Sequence, residues 1–421
     1  MKIGQVVKQY HIPLNTLYFY MHNGLLVPPK RNNQYVFDQR TLAELEWLLE
    51  LKEMEFPLKT IHRLLSLRRI SNFYSEEDQE ELRSIYESHM RDLQNREAAL
   101  LTARQKTQQN LFSLARHTPA GVRTGVPIRM LHLLCCPECG GEFMLENAAM
   151  SQNHIFQATL RCACGYSAVI RDGILQTPNL NTSLFDKPDT TRELYRDLPS
   201  RTLSLFEHSY RWLEKHITAT ISGGKVWLEG YVNAWFFFHN HLELLDSTDC
   251  LIVVDKFAET LLAYKSVIDR QGAPCDILYI ADSSARPPIR EHSVDRVLDF
   301  FAANEHNFYH PDLYLNELIP YLKPDSELFG VYFFFQNGRK SMKTLLSSYP
   351  EASEHNFNIH WFLQSAKDQF RILETLDCGF STDSGKNLGL GFHVPGEELH
   401  LQAYWARPQK MSLSKTALDV H

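Results

Sequence analysis

Between Glu76 and Arg116 the chain contains neither proline nor glycine. Leu82, Tyr86, His89, Leu93, Leu100, Ala103, Thr107, Leu111 and Leu114 recur along it at intervals that suit a narrow heptad seam. About forty residues rising 1.5 Å each make a rod of roughly 60 Å. A small neighbouring domain cannot cover such a rod, so the economical arrangement pairs residues 75–117 with a second copy as a coiled-coil dimeriser. Packing of the helix on its own chain stays open, because His89 and Thr107 are polar residues at seam positions.

What precedes the rod is basic. Residues 1–70 hold ten Lys/Arg against six acids, +4, although the whole chain carries −7. Cations gathered in one segment suit contact with phosphates. KIGQVVKQY reads as a short helix that HIPLN interrupts, since Pro13 disfavours helical geometry at Ile12. TLYFYMHNGLL reads as a second helix, with Asn15 or Thr16 as N-cap and Gly24 as its stop. Two short helices across a tight turn form a helix-turn-helix, whose second helix can enter a major groove. PPKRNNQYVFD then reads as a wing with a basic tip, and Leu42 to Leu67 as two helices broken near Phe56 and Pro57.

MKIGQVVKQYHIPLNTLYFYMHNGLL and RNNQYVFDQRTLAELEWLLELKEMEFPLKTIHRLLSL resemble the opening, wing and following helices of the mercury-resistance regulator (MerR) family. The resemblance implies a winged helix-turn-helix DNA-binding domain over residues 1–72, with Asn15, Thr16, Tyr18 and Tyr20 on the recognition helix and Lys30, Arg31, Asn33 and Tyr35 on the wing. It also implies a homodimer on palindromic double-stranded promoter DNA, with RNA polymerase as a partner. Tyr18 and Val36 stand where the family usually carries Arg, and His11 where it carries glycine at the turn.

TPAGVRTGVPIRM, 118–130, has two prolines and two glycines and reads as a linker. CPECGGEF and RCACGYSAVIRDGIL follow, placing Cys136 with Cys139 and Cys162 with Cys164, 22 residues apart. Four thiolates on glycine-containing turns suit tetrahedral structural zinc. The second pair is C-x-C, tighter than usual, so metal-free reduced cysteines remain the alternative. Residues 131–178 resemble the zinc ribbon that precedes some bacterial methyltransferase domains. Cys135, Cys250, Cys275 and Cys378 read as ordinary buried residues.

The rest alternates strand and helix signals: KVWLEG, CLIVVD, CDILYIAD, SVDRVLDFFA and ELFGVYFFF as strands, AETLLAYKSVID and PDLYLNELIPYLKP as helices. The alternation predicts a doubly wound, mostly parallel, Rossmann-like sheet. IADSSARPPIREHSVDRVLDFFAANEHNFYHPDLYLNELIPYLKPDSELFGVYF resembles the class I methyltransferase fold, which sets a domain over 185–408 and a tail over 409–421. That resemblance implies that Glu229, Gly230, Asp255, Asp282 and Ser283 would line an S-adenosylmethionine site, Asp255 holding the ribose diol. The loop departs from the family pattern: Tyr231, Asn233 and Trp235 occupy positions where alternate glycines let the backbone approach the ligand. No catalytic motif is evident, and His239, His241 and His306 are scattered candidates for acid–base or ligand roles.

Together these features predict a multidomain α and α/β chain: a winged helix-turn-helix, a coiled-coil helix, a zinc ribbon and a methyltransferase-type sheet. The expected function is a dimeric MerR-type regulator whose C-terminal domain senses an unknown small molecule. The alternative is an active S-adenosylmethionine-dependent methyltransferase with a DNA-binding head. The aromatics of KVWLEGYVNAWFFF either line a remodelled apolar pocket or pack as core. No run is long and apolar enough to span a bilayer and no signal peptide opens the chain, so a cytoplasmic protein without membrane partners is expected.

Overall fold

The computed structural model describes residues 1–116, 123–179, 181, 183, 186–193, 196–220, 222–233, 235–284, 286–336, 338–385 and 389–409. The first part of the expected linker, 118–122, and all of the expected tail beyond Gln409 lie outside them. The chain divides into two compact units, Met1–His117 and Thr118–His421.

In the first unit α1 (Ile3–Tyr10) and α2 (Leu14–His22) flank the turn. His11 closes α1 in the left-handed region at φ 53°, the conformation that the family's glycine supplies. The sequence expectation of an Asn15 or Thr16 N-cap is corrected: α2 begins at Leu14, and the Pro13 carbonyl accepts from the N–H groups of Thr16 and Leu17. The wing is β1 (Lys30–Arg31) against β2 (Gln34–Tyr35), turned by Asn32 and Asn33, both at positive φ as a tight two-residue hairpin requires. Asp38 caps α3 (Gln39–Glu53) by accepting from Thr41 N–H at 2.9 Å. In α4 (Leu58–Ser71), Arg69 pairs with buried Glu44 and donates to the carbonyls of Gly24 and Leu25, which fastens the end of α2 to the helix pair.

The rod is a single helix, α5 (Glu76–Arg116). Its first turns pack on the head: Leu82, Ile85 and Tyr86 meet the head's core, and His89 stacks on Phe56 while its Nε2 lies 2.7 Å from the Met54 carbonyl oxygen. Thus polar His89 is explained by packing on its own chain. Farther along, Leu100, Leu101 and Leu111 are 70%, 45% and 62% exposed.

The second unit is built on one 12-stranded sheet. Its strands are β3 (Val126–Pro127), β4 (Met144–Ser151), β5 (His154–Arg161), β6 (Ser167–Arg171), β7 (Ile174–Gln176), β8 (Val226–Gly230), β9 (Cys250–Asp255), β10 (Asp276–Ala281), β11 (Val294–Phe300), β12 (Leu322–Phe335), β13 (Phe370–Ser381) and β14 (Leu399–Pro408). The helices are α6 (Ser200–Ala219), α7 (Ala258–Gln271), α8 (Ala302–Tyr309), α9 (Tyr314–Leu318), α10 (Arg339–Ser348) and α11 (Ile359–Ala366). The parallel order β10-β9-β8-β11-β12 is the doubly wound arrangement, with a switch point between β8 and β11 where connections leave in opposite directions. Strand β14 inserts antiparallel between β12 and β13, leaving β13 as the edge strand. The methyltransferase-type sheet expected from the sequence is therefore present.

Two details differ from the sequence reading. PDLYLNELIPYLKP gives only the short α9 and a 3-10 turn before β12 begins at Leu322, because Pro320 cannot continue the helical hydrogen bonding. The cysteine-bearing strands also join the large sheet, β7 lying parallel to β10 with Leu175 opposite Ile280.

Candidate functional site

On the head, the exposed face of α2 presents Asn15 and Tyr18, with Thr16 half-buried beside them. Tyr20 turns inward: it is 2% exposed and its hydroxyl accepts from Lys52 Nζ at 3.2 Å. Phe19, next to Tyr18, is the aromatic that reaches solvent instead, as helical spacing puts positions 17 and 20 on the core side. Lys30, Arg31 and Asn33 are exposed on the wing, and Lys30 lies over the half-buried Tyr35 ring at 4.8 Å. Six of the eight residues singled out from the sequence thus form a polar, exposed or part-exposed set, Tyr35 lies under Lys30, and Tyr20 belongs to the core.

Cys136, Cys139, Cys162 and Cys164 converge, their sulfurs all within 4.8 Å of one another. Sγ of Cys136 lies 3.5 Å from that of Cys164, and Sγ of Cys139 lies 3.4 Å from that of Cys162. Tetrahedral zinc with 2.3 Å bonds needs sulfurs about 3.8 Å apart, so the donor set fits the ion. Gly140 and Gly165 take positive φ at the two turns, and a Cβ on Gly141 would sit 3.3 Å from two of the sulfurs. The close C-x-C spacing is accommodated because Cys162 directly follows β5 and Cys164 sits on the turn after it, Gly165 N–H donating back to the Cys162 carbonyl. Cys135, Cys275 and Cys378 are buried and Cys250 is half-buried.

The residues expected at an S-adenosylmethionine site also lie together, at the carboxyl ends of β8, β9 and β10. Each is engaged by the protein itself. Glu229 is fully buried; its carboxylate accepts from Phe237 N–H at 2.6 Å and Phe238 N–H at 3.2 Å, while burial pushes its pKa up to about 8. Asp255 accepts from Asn233 N–H at 2.7 Å and Phe257 N–H at 2.9 Å, and burial raises it to about 7. Asp282 accepts from Asn179 Nδ2 and Ser284 N–H, and Ser283 donates to the Asn179 carbonyl. A Cβ on Gly230 would come within 2.2 Å of the Tyr314 hydroxyl.

The space between them is filled by Tyr231, which the sequence set where a glycine would leave room, and by Lys256, which the sequence reading did not single out. Tyr231, held at φ 54°, hydrogen-bonds His306 Nδ1 at 2.7 Å and meets Tyr314 edge-on. Lys256 is buried between Asp186 and Glu305, pairing with Glu305 at 2.7 Å. The cavity lined by Gly230, Tyr231, Asp255, Lys256, Asp282 and Tyr314 measures about 20 Å³. That is room for roughly one water molecule. Residues 186–193 run across the loop as a strap: Asn233 accepts from Asp189 N–H, donates to the Lys187 carbonyl, and its own carbonyl accepts from Arg192. Beside Tyr231 and Asn233 in the glycine positions, the sequence carried a further signal in Lys256, a cation directly after the acid expected to hold a ribose.

Phe236, Phe237 and Phe238 are buried in the core and do not line that cavity. Trp235 packs edge-on against Phe206. Of the candidate histidines, burial lowers His306 to about 3, so it is no proton carrier near neutrality, and burial also depresses His239.

A curated relative is the HTH-type transcriptional regulator ZntR homolog of Haemophilus influenzae, 26% identical over 119 residues, covering 26% of this chain and 85% of that protein. Among solved structures, the MccD protein is 10% identical and covers 48% of this chain and 96% of its own, with a TM-score of 0.39. An S-adenosylmethionine-dependent methyltransferase from Aquifex aeolicus is 16% identical over 52% of this chain and 98% of its own, with a TM-score of 0.36. The family model described as MerR HTH family regulatory protein matches residues 1–68. The turn, wing and helix pair described above are therefore a MerR-type helix-turn-helix domain at the head of a chain whose second unit is a doubly wound sheet.

Proposed function

We propose that the protein is a dimeric transcription regulator that binds promoter DNA through its MerR-type head and uses its second unit to sense a small molecule rather than to transfer methyl groups. The observation that carries the second half is the occupied cleft: both oxygens of Asp255 accept from the protein's own backbone, and about 20 Å³ remains where a nucleoside would lie. Each Asp255 oxygen already accepts one bond, and with the residue 1% exposed little of its carboxylate is within reach of a ribose diol. The exposed Leu100, Leu101 and Leu111 support pairing of α5 with a second copy, and a symmetric dimer suits a palindromic operator. Zinc in the four-cysteine site would be structural, since four protein ligands leave no open position for chemistry. When sensing, a ligand that prefers one arrangement of the second unit would shift the population of DNA-bound states.

Footprinting across the protein's own upstream region, together with calorimetry against S-adenosylmethionine, tests both halves. The reading requires a protected palindrome and no S-adenosylmethionine heat. Micromolar binding with methyl transfer to a cell extract would replace the sensor by an enzyme, and a chain that protects no DNA would remove the regulator.

A further inference from the structure

A second cleft lies away from the cofactor-like one. Helix α7 ends at Gln271, Gly272 turns the chain at φ 83°, and Ala273 to Cys275 lead into β10. The chain before β3, at Thr124, and the start of β5, at His154, form the facing wall. Between them is a cavity of about 370 Å³, within the range of small-molecule sites. It opens at the amino end of β10, opposite the carboxyl ends that carry Asp255 and Asp282.

Its floor includes Tyr279, which is 1% exposed and whose hydroxyl has no hydrogen-bond partner. An unmade buried hydrogen bond costs about 1–3 kcal/mol, so such a group is notable where a cavity adjoins it. The charged groups of the wall are already paired: Asp269 accepts from Lys265 at 2.6 Å and from Thr124 at 2.5 Å, and Asp276 accepts from Arg129. Arg270 points to solvent at the rim. Ile268 and Ile277 supply buried apolar surface. An anionic ligand would meet the carboxylates of Asp269 and Asp276, whereas an uncharged one can lie on Ile268 and Ile277 beneath the polar rim of Arg270 and Gln271 and turn an oxygen toward Tyr279.

We propose that this cavity is the ligand site of the second unit, and that it takes an uncharged, largely apolar ring compound with one hydrogen-bonding oxygen directed at Tyr279. For its regulatory role the proposal rests on the sensor reading above; for binding it rests on the cavity alone. Thr124 stands seven residues into the second unit, on the stretch of chain that follows α5 in sequence, so a ligand touching it contacts the segment that leads to the head.

The naphthyl ketone prodan, uncharged and fluorescent, serves as the probe, titrated into the full-length protein without DNA. Saturable one-to-one binding with a blue shift is expected. Ile277→Trp, which fills the cavity, should weaken it at least tenfold. Should that variant misfold, Ala273→Phe at the exposed mouth should block entry to similar effect. Tyr279→Phe should weaken prodan about fivefold while raising the melting temperature of the free protein, because it removes an unpartnered hydroxyl. Absence of saturable binding, or equal binding by Ala273→Phe and Tyr279→Phe, overturns the site. Neither result bears on whether the head protects DNA, so failure here is separable from failure of the regulator reading.

Discussion

The backbone N–H of Asn233 lies 2.7 Å from Asp255 Oδ2. The same asparagine uses its side chain to hold Asp189 N–H, the Lys187 carbonyl and the Thr260 hydroxyl, so one residue closes the cofactor-like loop from below and the strap from above. Asn233→Ala leaves those partners unmatched in a buried setting and should lower stability by about 2–3 kcal/mol. Five of the six tryptophans lie beyond residue 200, so urea unfolding followed by tryptophan fluorescence reads this unit. The backbone donor survives the substitution, and S-adenosylmethionine should remain unbound; binding by the variant would show that the strap alone bars the cofactor.

Stability should fall as pH rises from 6.5 to 8. Glu229 and Asp255 have folded values of about 8 and about 7, above the ordinary carboxyl range. The folded state therefore binds protons that the unfolded state has lost, and that advantage disappears through the folded values. His306, lowered to about 3, works in the opposite direction but only below about 6.5, where the unfolded imidazole takes up its proton. Each group contributes at most about 1.4 kcal/mol per pH unit. Urea midpoints at half-unit pH steps check the slope, and Glu229→Gln should flatten it toward pH 8.

The protein should bind one zinc ion per chain, and Cys139→Ser combined with Cys164→Ser should abolish it, as read by elemental analysis. Because β7 pairs with β10, metal loss should lower the melting temperature of the whole second unit in one transition. A separate low-temperature transition for the ribbon strands would contradict that coupling.

For the head, Lys30→Ala and Arg31→Ala should each reduce the slope of log affinity against log salt by about 0.9 if they neutralise a phosphate. Tyr18→Arg, adding a cation on the exposed face of α2, should steepen it by a similar amount. Gel-shift titrations at several salt concentrations give the slopes.

With α5 pairing a second copy as proposed, Leu100→Glu should leave the protein monomeric in sedimentation experiments where the unaltered chain is dimeric, since it sets a charge at a leucine 70% exposed on the unit's own surface. An unchanged dimer would place the interface elsewhere.

The helix-turn-helix was legible because its signals are local: Pro13, Gly24, two asparagines in a wing turn and leucines at helical spacing all act within a few residues. The four cysteines were legible for the same reason, spacing alone bringing them to two turns. The doubly wound character of the sheet followed from alternating strands and helices, whereas the insertion of β14 and the pairing of β7 with β10 did not. What could not be read was long-range. Tyr20 and Tyr18 look equivalent along the chain, and only the packing of α2 sends one inward. The filling of the cleft by Lys256 depends on Asp186 and Glu305, seventy and forty-nine residues away, and Asn233 meets the strap more than forty residues upstream. His89 was ambiguous for a like reason, since its partner Met54 lies at the end of α3, thirty-five residues away.

Tyr231 keeps the left-handed backbone that a glycine would adopt freely, at a strain of roughly 1–2 kcal/mol for a side chain of its kind. The loop thus follows a glycine-like path while carrying a full aromatic side chain beyond Cβ. Those atoms now support one another, Tyr231 on His306 and Tyr314, and Lys256 between two acids. Cutting any one of them back opens a hole with unpaired neighbours instead of a receptor for a nucleoside. Such mutual filling works like an arch: each side chain braces the others, so the cleft responds to a truncation at any one of them as a single unit.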